Sequence, residues 1–209
     1  MAKTSGGIRS KAGVKITGGF VGGDSSYKGK ISNLSGLNTI KHADVYGEIK
    51  QGISRYHSVM GVMQRDIKLG DMASHVNGAH ITVGGKSSQI VLNRKVFNLS
   101  KKEIIARVSN SYKSGWSTVT KKYVQHTITH ELAHATWNSS LSGSNHKAAG
   151  KEIKALFNKW NNDTRKKGYG KYAKSNPNEF WAETVTKAIH GNSDKYTRKV
   201  KYIAKKYKL

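Results

Sequence analysis

The chain has 209 residues, with 37 Lys and Arg against 12 Asp and Glu, a formal charge of +25 and no cysteine. That length supports one domain with a real core or a small domain plus tails, and the lack of cysteine excludes a disulfide scaffold, a zinc finger and a cysteine nucleophile together. No apolar run approaches the roughly 18 residues that span a bilayer, and the basic N-terminus lacks the apolar stretch of a Sec signal.

Residues 1–40 hold 9 of the 22 glycines, six serines and six Lys or Arg with a single acid. They read as a basic Gly/Ser-rich arm with at most a few short strands near Val14–Val21. From 41 to 209 the pattern is that of a folded domain. Val45, Ile49, Ile53, Tyr56, Met60 and Met63 fall three or four apart, which predicts an amphipathic helix. Ala79–Gly85 and Gln89–Asn93 are short β-branched runs across a turn, a hairpin or two neighbouring strands. Ser100 and Glu103 have capping-box spacing ahead of Ile104, Ile105 and Val108 and open a helix. A further helix covers about 118–137, with Val124, Ile128, Leu132 and Ala135 on one side. Lys151–Trp160 and Glu179–Ile189 read as helices, the second entered through Pro177. Ser193–Leu209 carries seven Lys or Arg, with Tyr196, Val200, Ile203 and Tyr207 at helical spacing. No internal repeat is visible. The expected fold class is α+β with little sheet.

One motif carries chemistry: His130-Glu131-Leu132-Ala133-His134. On a helix, residues four apart face the same way, so both imidazoles can grip one Zn²⁺. Glu131 lies beside them, placed to take a proton from the water the metal polarises. At this chain's His and Glu frequencies the motif arises by chance about once in a hundred such chains, so it is read as a site. The apolar stripe of Val124, Ile128, Leu132 and Ala135 implies that this helix is buried. His126, one turn earlier, reads as a packing or hydrogen-bonding histidine.

A catalytic zinc takes three protein ligands and keeps one open position. Two candidates supply the third. Glu179 opens a predicted helix with Glu183 one turn later, so one carboxylate can bind metal while the other orients a histidine. His146 follows His134 after a short loop and is the other candidate. The chain has only six glutamates, and three of them stand in these two motifs.

The stretch Tyr172-Ala-Lys-Ser-Asn-Pro-Asn-Glu179-Phe-Trp-Ala-Glu183, behind the histidine motif, resembles zinc metallopeptidases of the anthrax-lethal-factor type, a group with similar domains in phage minor-head proteins and polymorphic toxins. The resemblance implies a zincin-like metallopeptidase domain with a small sheet and an HExxH active-site helix. It implies His130, His134 and Glu179 as Zn²⁺ ligands, Glu131 as general base, Tyr172 as the hydroxyl that steadies the developing oxyanion, and Glu183 as support behind a ligand. Trp181 and Thr184 depart from the pattern, which has Phe and Ala there. It further implies a protein or peptide substrate, virion components as partners, and a place in a phage virion or delivery into a target cell.

His134-Ala-Thr-Trp through His146-Lys-Ala-Ala-Gly-Lys-Glu-Ile is also similar to SprT and Spartan-type proteases, which act on DNA-bound proteins, although the Gly expected after His146 is missing. The substrate-binding sheet edge is expected in His80–Val83 or Gln89–Asn93 by strand addition. The charge favours polyanions, with non-specific nucleic-acid contact through the arm and the C-terminal helix. Tyr112, Tyr196, Tyr202 and Tyr207, interleaved with lysines, are candidates for base stacking. A third reading is a basic virion or nucleic-acid-binding structural protein that uses the domain as a scaffold.

Overall fold

The computed structural model describes residues 8–9, 15–16, 34–61, 66–83, 86–139 and 144–209. Most of the arm therefore lies outside the described residues, as does Met63. The described part is a mixed α+β fold, mostly helical. Its core begins before residue 41: Leu37 is fully buried, with Leu34 and Ile40 packed against the same cluster.

The first long helix, α1 (Ala43–Met60), buries Val45, Ile49, Ile53, Tyr56 and Met60, the stripe that the sequence spacing predicts. It ends at Gly61, whose φ of +90° suits a residue without a Cβ.

The sheet runs in the order β1 (Ile8–Arg9), β2 (Lys15–Ile16), β4 (Gly78–Val83), β5 (Lys86–Asn93), β3 (Asp66–Gly70). β4 and β5 form the expected antiparallel pair, with Ala79 opposite Val91 and His80 opposite Ile90. β3, absent from the sequence reading, lies parallel to β5 and buries Ile67 and Leu69 by simple alternation. β5 is thereby paired on both sides, which corrects the expectation that Gln89–Asn93 forms a free edge. β2 pairs with β4 at Ile81 and Thr82, inside the other segment proposed as an edge.

Asn93 ends β5 and caps α2 (Arg94–Phe97), its Oδ1 accepting the Lys95 N–H at 3.0 Å. α3 (Lys101–Lys113) opens with the predicted capping box of Ser100 and Glu103.

The helix expected from 118 begins five residues later, as α4 (Tyr123–Ser139). The cause is local. The Thr118 N–H donates to the Glu183 carboxylate at 2.7 Å and the Val119 N–H to the Gly168 carbonyl at 3.1 Å, so these donors serve a loop instead. α4 is the central element, packed on α1, α3, α6 and both β4 and β5. A Cβ at Gly52 of α1 would lie 2.8 Å from Ile128 Cγ2, so that glycine lets α1 approach α4 closely.

α5 (Ser144–Asn161) starts earlier than predicted, which puts His146 in its first turn rather than in a loop ahead of a helix. The His146 side chain lies outside the described residues. A short 3-10 turn (Lys171–Lys174) leads to α6 (Pro177–His190), capped by Asn176, whose Oδ1 accepts the Asn178 and Glu179 N–H groups at 2.9 Å. Pro177 at the first helical position needs no N–H partner. Trp181 of α6 is buried and donates from Nε1 to the Ala133 carbonyl of α4 at 3.1 Å, which fixes the two helices against each other. α7 (Lys195–Tyr207), capped by Asp194, buries Tyr196, Val200, Ile203 and Ala204 and exposes its lysines. No helix among the described residues is long and apolar enough to cross a membrane.

Candidate metal centre

α4 contributes His126, His130 and His134, one turn apart along one face, and all three are buried. α6 faces them with Glu179 and Glu183, exposed by only 2% and 1%. An ordinary solvated acidic face is therefore ruled out.

His130 Nε2 lies 3.2 Å from Glu179 Oε2, His134 Nε2 lies 3.3 Å from the same oxygen, and the two nitrogens are 3.1 Å apart. Three donor atoms thus converge in a near-equilateral triangle. His130, His134 and Glu179 form a buried group that can hold a metal ion, with a donor set of two imidazoles and one carboxylate.

Glu183 stands behind the first histidine. Its Oε1 is 3.0 Å from His130 Nδ1 and 3.5 Å from His126 Nε2, while its Oε2 accepts the Thr118 N–H. A carboxylate at Nδ1 directs the Nε2 lone pair of His130 toward the Glu179 side. His126 is held from its other ring nitrogen by the Tyr112 hydroxyl at 3.1 Å, which also meets Thr120 Oγ1 at 2.9 Å. His126, His130 and Glu183 also lie close enough to hold an ion, but that grouping would take Nδ1 of a histidine whose Nε2 belongs to the first. It fits better as the support that orients His130.

Glu131 lies between this cluster and the sheet, close enough to His130, His134 and Glu179 to feel their charge. It is buried beside Gly78, where a Cβ would come 3.3 Å from its Cγ, and its Oε2 has no hydrogen-bond partner. A buried carboxylate oxygen without a partner is costly, and such atoms concentrate where a ligand or water completes them. Tyr172 stacks on the His130 ring with centroids 5.7 Å apart and planes at 20°, and its hydroxyl is directed to Glu179.

The electrostatics follow from burial opposed by pairing. For Glu179, burial works against ionisation, but His134 and His130 outweigh it and hold the carboxyl well below the usual carboxylate range. Glu183 is held low in the same way by His126 and His130. Burial opposes charge on His130, yet the carboxylates of Glu179 and Glu183 beside it win and raise it well above an ordinary imidazole. Of the three carboxylates, Glu131 alone moves upward, because burial exceeds the pull of His130 and His134. One helix thus presents two carboxylates kept ionised and the other a carboxyl with a raised proton affinity.

Of the residues singled out for the site from sequence and resemblance, His130, Glu131, His134, Tyr172, Glu179 and Glu183 meet at this junction, while the side chain of the rival candidate His146 lies outside the described residues. Sequence reading missed Thr118, whose contribution is a backbone N–H with no residue signature, and Trp116, which stacks on Tyr172 at 5.5 Å and 22°. The base-stacking expectation is corrected for two tyrosines. Tyr112 is packed against Tyr123 and His126, and Tyr196 is buried and donates to Asp163 at 2.7 Å. Tyr202 is 53% exposed, with Lys199 over its ring. Comparison with family models, with curated proteins and with solved structures returns no match to this chain.

Proposed function

We propose that this protein is a zinc-dependent metallopeptidase. The observation that carries the reading is the convergence of His130, His134 and Glu179 beside a buried Glu131 oxygen without a partner. Tetrahedral zinc, with bonds of about 2.0–2.1 Å, sets its ligand atoms about 3.3–3.4 Å apart. The 3.1–3.3 Å separations found here support that geometry. Mixed imidazole and carboxylate ligation with three protein donors is the set used by hydrolytic zinc sites.

Zinc held there supplies Lewis acidity toward a water molecule and a substrate carbonyl oxygen. The residues do the rest. Glu131 accepts a proton from the attacking water and returns it to the leaving amine, a role its raised proton affinity suits. Tyr172 places a protonated hydroxyl at the rim, kept protonated by burial and by Glu179 and Glu131, where it can donate to a developing oxyanion. Glu183 fixes the orientation of His130. Asn176 and Pro177 start α6 so that Glu179 falls in its first turn, facing α4.

Glu131→Gln tests the reading. Peptide hydrolysis measured on a mixed peptide library should fall by about 10²–10⁴-fold or more while bound zinc, measured by elemental analysis, is unchanged. A Glu131→Gln protein that still cleaves would sink the mechanism.

A further inference from the structure

Trp116 is the one exposed tryptophan of four. Trp137, Trp160 and Trp181 are buried at 3% exposure or less, whereas Trp116 is 53% exposed. It is not a loose surface residue. Its ring stacks on Tyr172, which stacks in turn on His130, so an aromatic column runs from solvent to a proposed metal ligand.

The backbone fixes this column. Tyr172 N–H donates to the Trp116 carbonyl at 2.9 Å, Lys171 N–H to the Gly115 carbonyl at 2.7 Å, and Val119 N–H to the Gly168 carbonyl at 3.1 Å. The Gly170 N–H reaches Thr118 Oγ1 at 3.2 Å. Segments 115–119 and 168–172 therefore run antiparallel as a short ribbon. A Cβ at Gly170 would fall 2.1 Å from the Trp116 carbonyl oxygen, so only glycine permits the approach.

One end of the ribbon is Trp116 at the metal site. At the other end, Val119 borders a hollow of about 500 Å³ lined by Arg165, Lys166, Lys167, Lys187 and Lys195 against Asp163 and Asp194. Asp163 pairs with Lys195 at 2.6 Å and Asp194 with Lys187 at 2.8 Å, which leaves Arg165, Lys166 and Lys167 as the excess positive charge of the hollow. The rim as a whole is basic, since residues 113–122 and 165–178 contain eight Lys or Arg and no acid.

We propose that Trp116 and this basic hollow form the binding track for an acidic peptide carrying one aromatic or large apolar side chain, which stacks on Trp116 while carboxylates enter the hollow. Identifying that peptide as substrate rests on the metallopeptidase reading. An extended chain advances about 3.3 Å per residue, which puts the stacked side chain within about three residues of the reacting bond. A peptide suits the track better than single-stranded nucleic acid, which is held by successive aromatic platforms along a groove. Among the described residues the track has one platform, Trp116: Tyr112 and Tyr196 are packed away, and the exposed Tyr202 lies on α7 and does not line the hollow.

The test uses the full-length Glu131→Gln protein loaded with zinc, which holds peptides without cutting them. Fluorescence anisotropy compares four probes: a short Glu-rich peptide with one Phe, its Phe→Gly twin, its Glu→Lys twin, and oligodeoxythymidylate. The acidic Phe peptide should bind about tenfold more tightly than either twin, with a blue shift of tryptophan emission from Trp116. Adding Trp116→Ala should erase the Phe–Gly difference and keep the Glu–Lys difference, and Trp116→Phe should restore the first. Adding Lys167→Glu should erase the Glu–Lys difference instead. Equal binding of the three peptides, or oligodeoxythymidylate binding more tightly than the acidic peptide and displacing it, would overturn the proposal. The two readings fail separately. A wild-type zinc protein that binds selectively but cuts no peptide counts against the peptidase alone, and cleavage without selectivity counts against the track alone.

Discussion

The α4–α6 junction and the α5–α7 surface handle charge in opposite ways. At the junction, Glu131, Glu179 and Glu183, half of the chain's six glutamates, are buried among histidines. On the surface, Glu152 of α5 receives Lys199 at 3.4 Å, the Tyr207 hydroxyl at 2.7 Å and Lys206, with both lysines more than 40% exposed. An uncompensated buried charge costs several kcal/mol, so each junction carboxylate is fixed by a partner or left waiting for one. Exposed pairs are screened and loosely held, so they serve solubility and the approach of anionic partners. Position in the fold, more than residue type, decides which charges are available for chemistry.

The largest effect on that contrast should come from the packing that keeps the junction dry. Trp181→Ala removes a fully buried ring and its bond to the Ala133 carbonyl and should cost about 3–5 kcal/mol in denaturant unfolding. A cost below about 1 kcal/mol would mean that α6 does not seat on α4 as described.

Next comes the support behind the ligands. Glu183→Ala should weaken zinc binding about 10–100-fold. It should also destabilise the fold by about 1–3 kcal/mol, because the Thr118 N–H loses its acceptor. Glu183→Gln, which can still accept from Thr118, separates the two effects: the stability loss should shrink. Unchanged zinc affinity in both variants would remove Glu183 from the account.

A third effect is set by pH. His190 ends α6, is buried, and has no hydrogen-bond partner on either ring nitrogen. Burial, with His126, Arg55 and Lys122 nearby, pulls its pKa down to about 3. The unfolded chain, near 6.5, therefore binds the proton first, so stability is full above pH 6.5 and is lost as pH falls toward 3. Between pH 7 and pH 5 the His190 contribution should be as much as about 2 kcal/mol. Thermal melts of His190→Leu should show a flatter acid limb than wild type, and parallel limbs would contradict the assignment.

The smallest effect should be at the surface. Lys206→Ala should lower the thermal midpoint only slightly, and by less as salt rises. A larger, salt-independent loss would erase the distinction between the two regions.

The junction was more legible in the sequence than the fold that builds it. Two histidines four apart with a glutamate between them, and two glutamates four apart on another helix, state their geometry through helical periodicity. β3 was equally regular, with Ile67 and Leu69 alternating, but five residues give too short a period to stand out from the loops beside them. Residues 118–122 read as helix because their composition allows it. What excludes the helix is the partners of the Thr118 and Val119 N–H groups, 65 and 49 residues away in the chain. Trp116 carried a weaker signal: a large aromatic after Gly115, whose φ of +68° turns the chain toward the site. Backbone donors and long-range stacking are fixed only once the chain is folded, so residue type alone could not announce them.

The most direct measurement is the zinc content of untagged protein, wild type against Glu179→Ala, after dialysis with a weak chelator. The account predicts one zinc per wild-type chain and marked loss in Glu179→Ala, because removing one of three ligands leaves only the two histidines of α4. Full zinc retention in Glu179→Ala, or no zinc in wild type after supplementation, would contradict it.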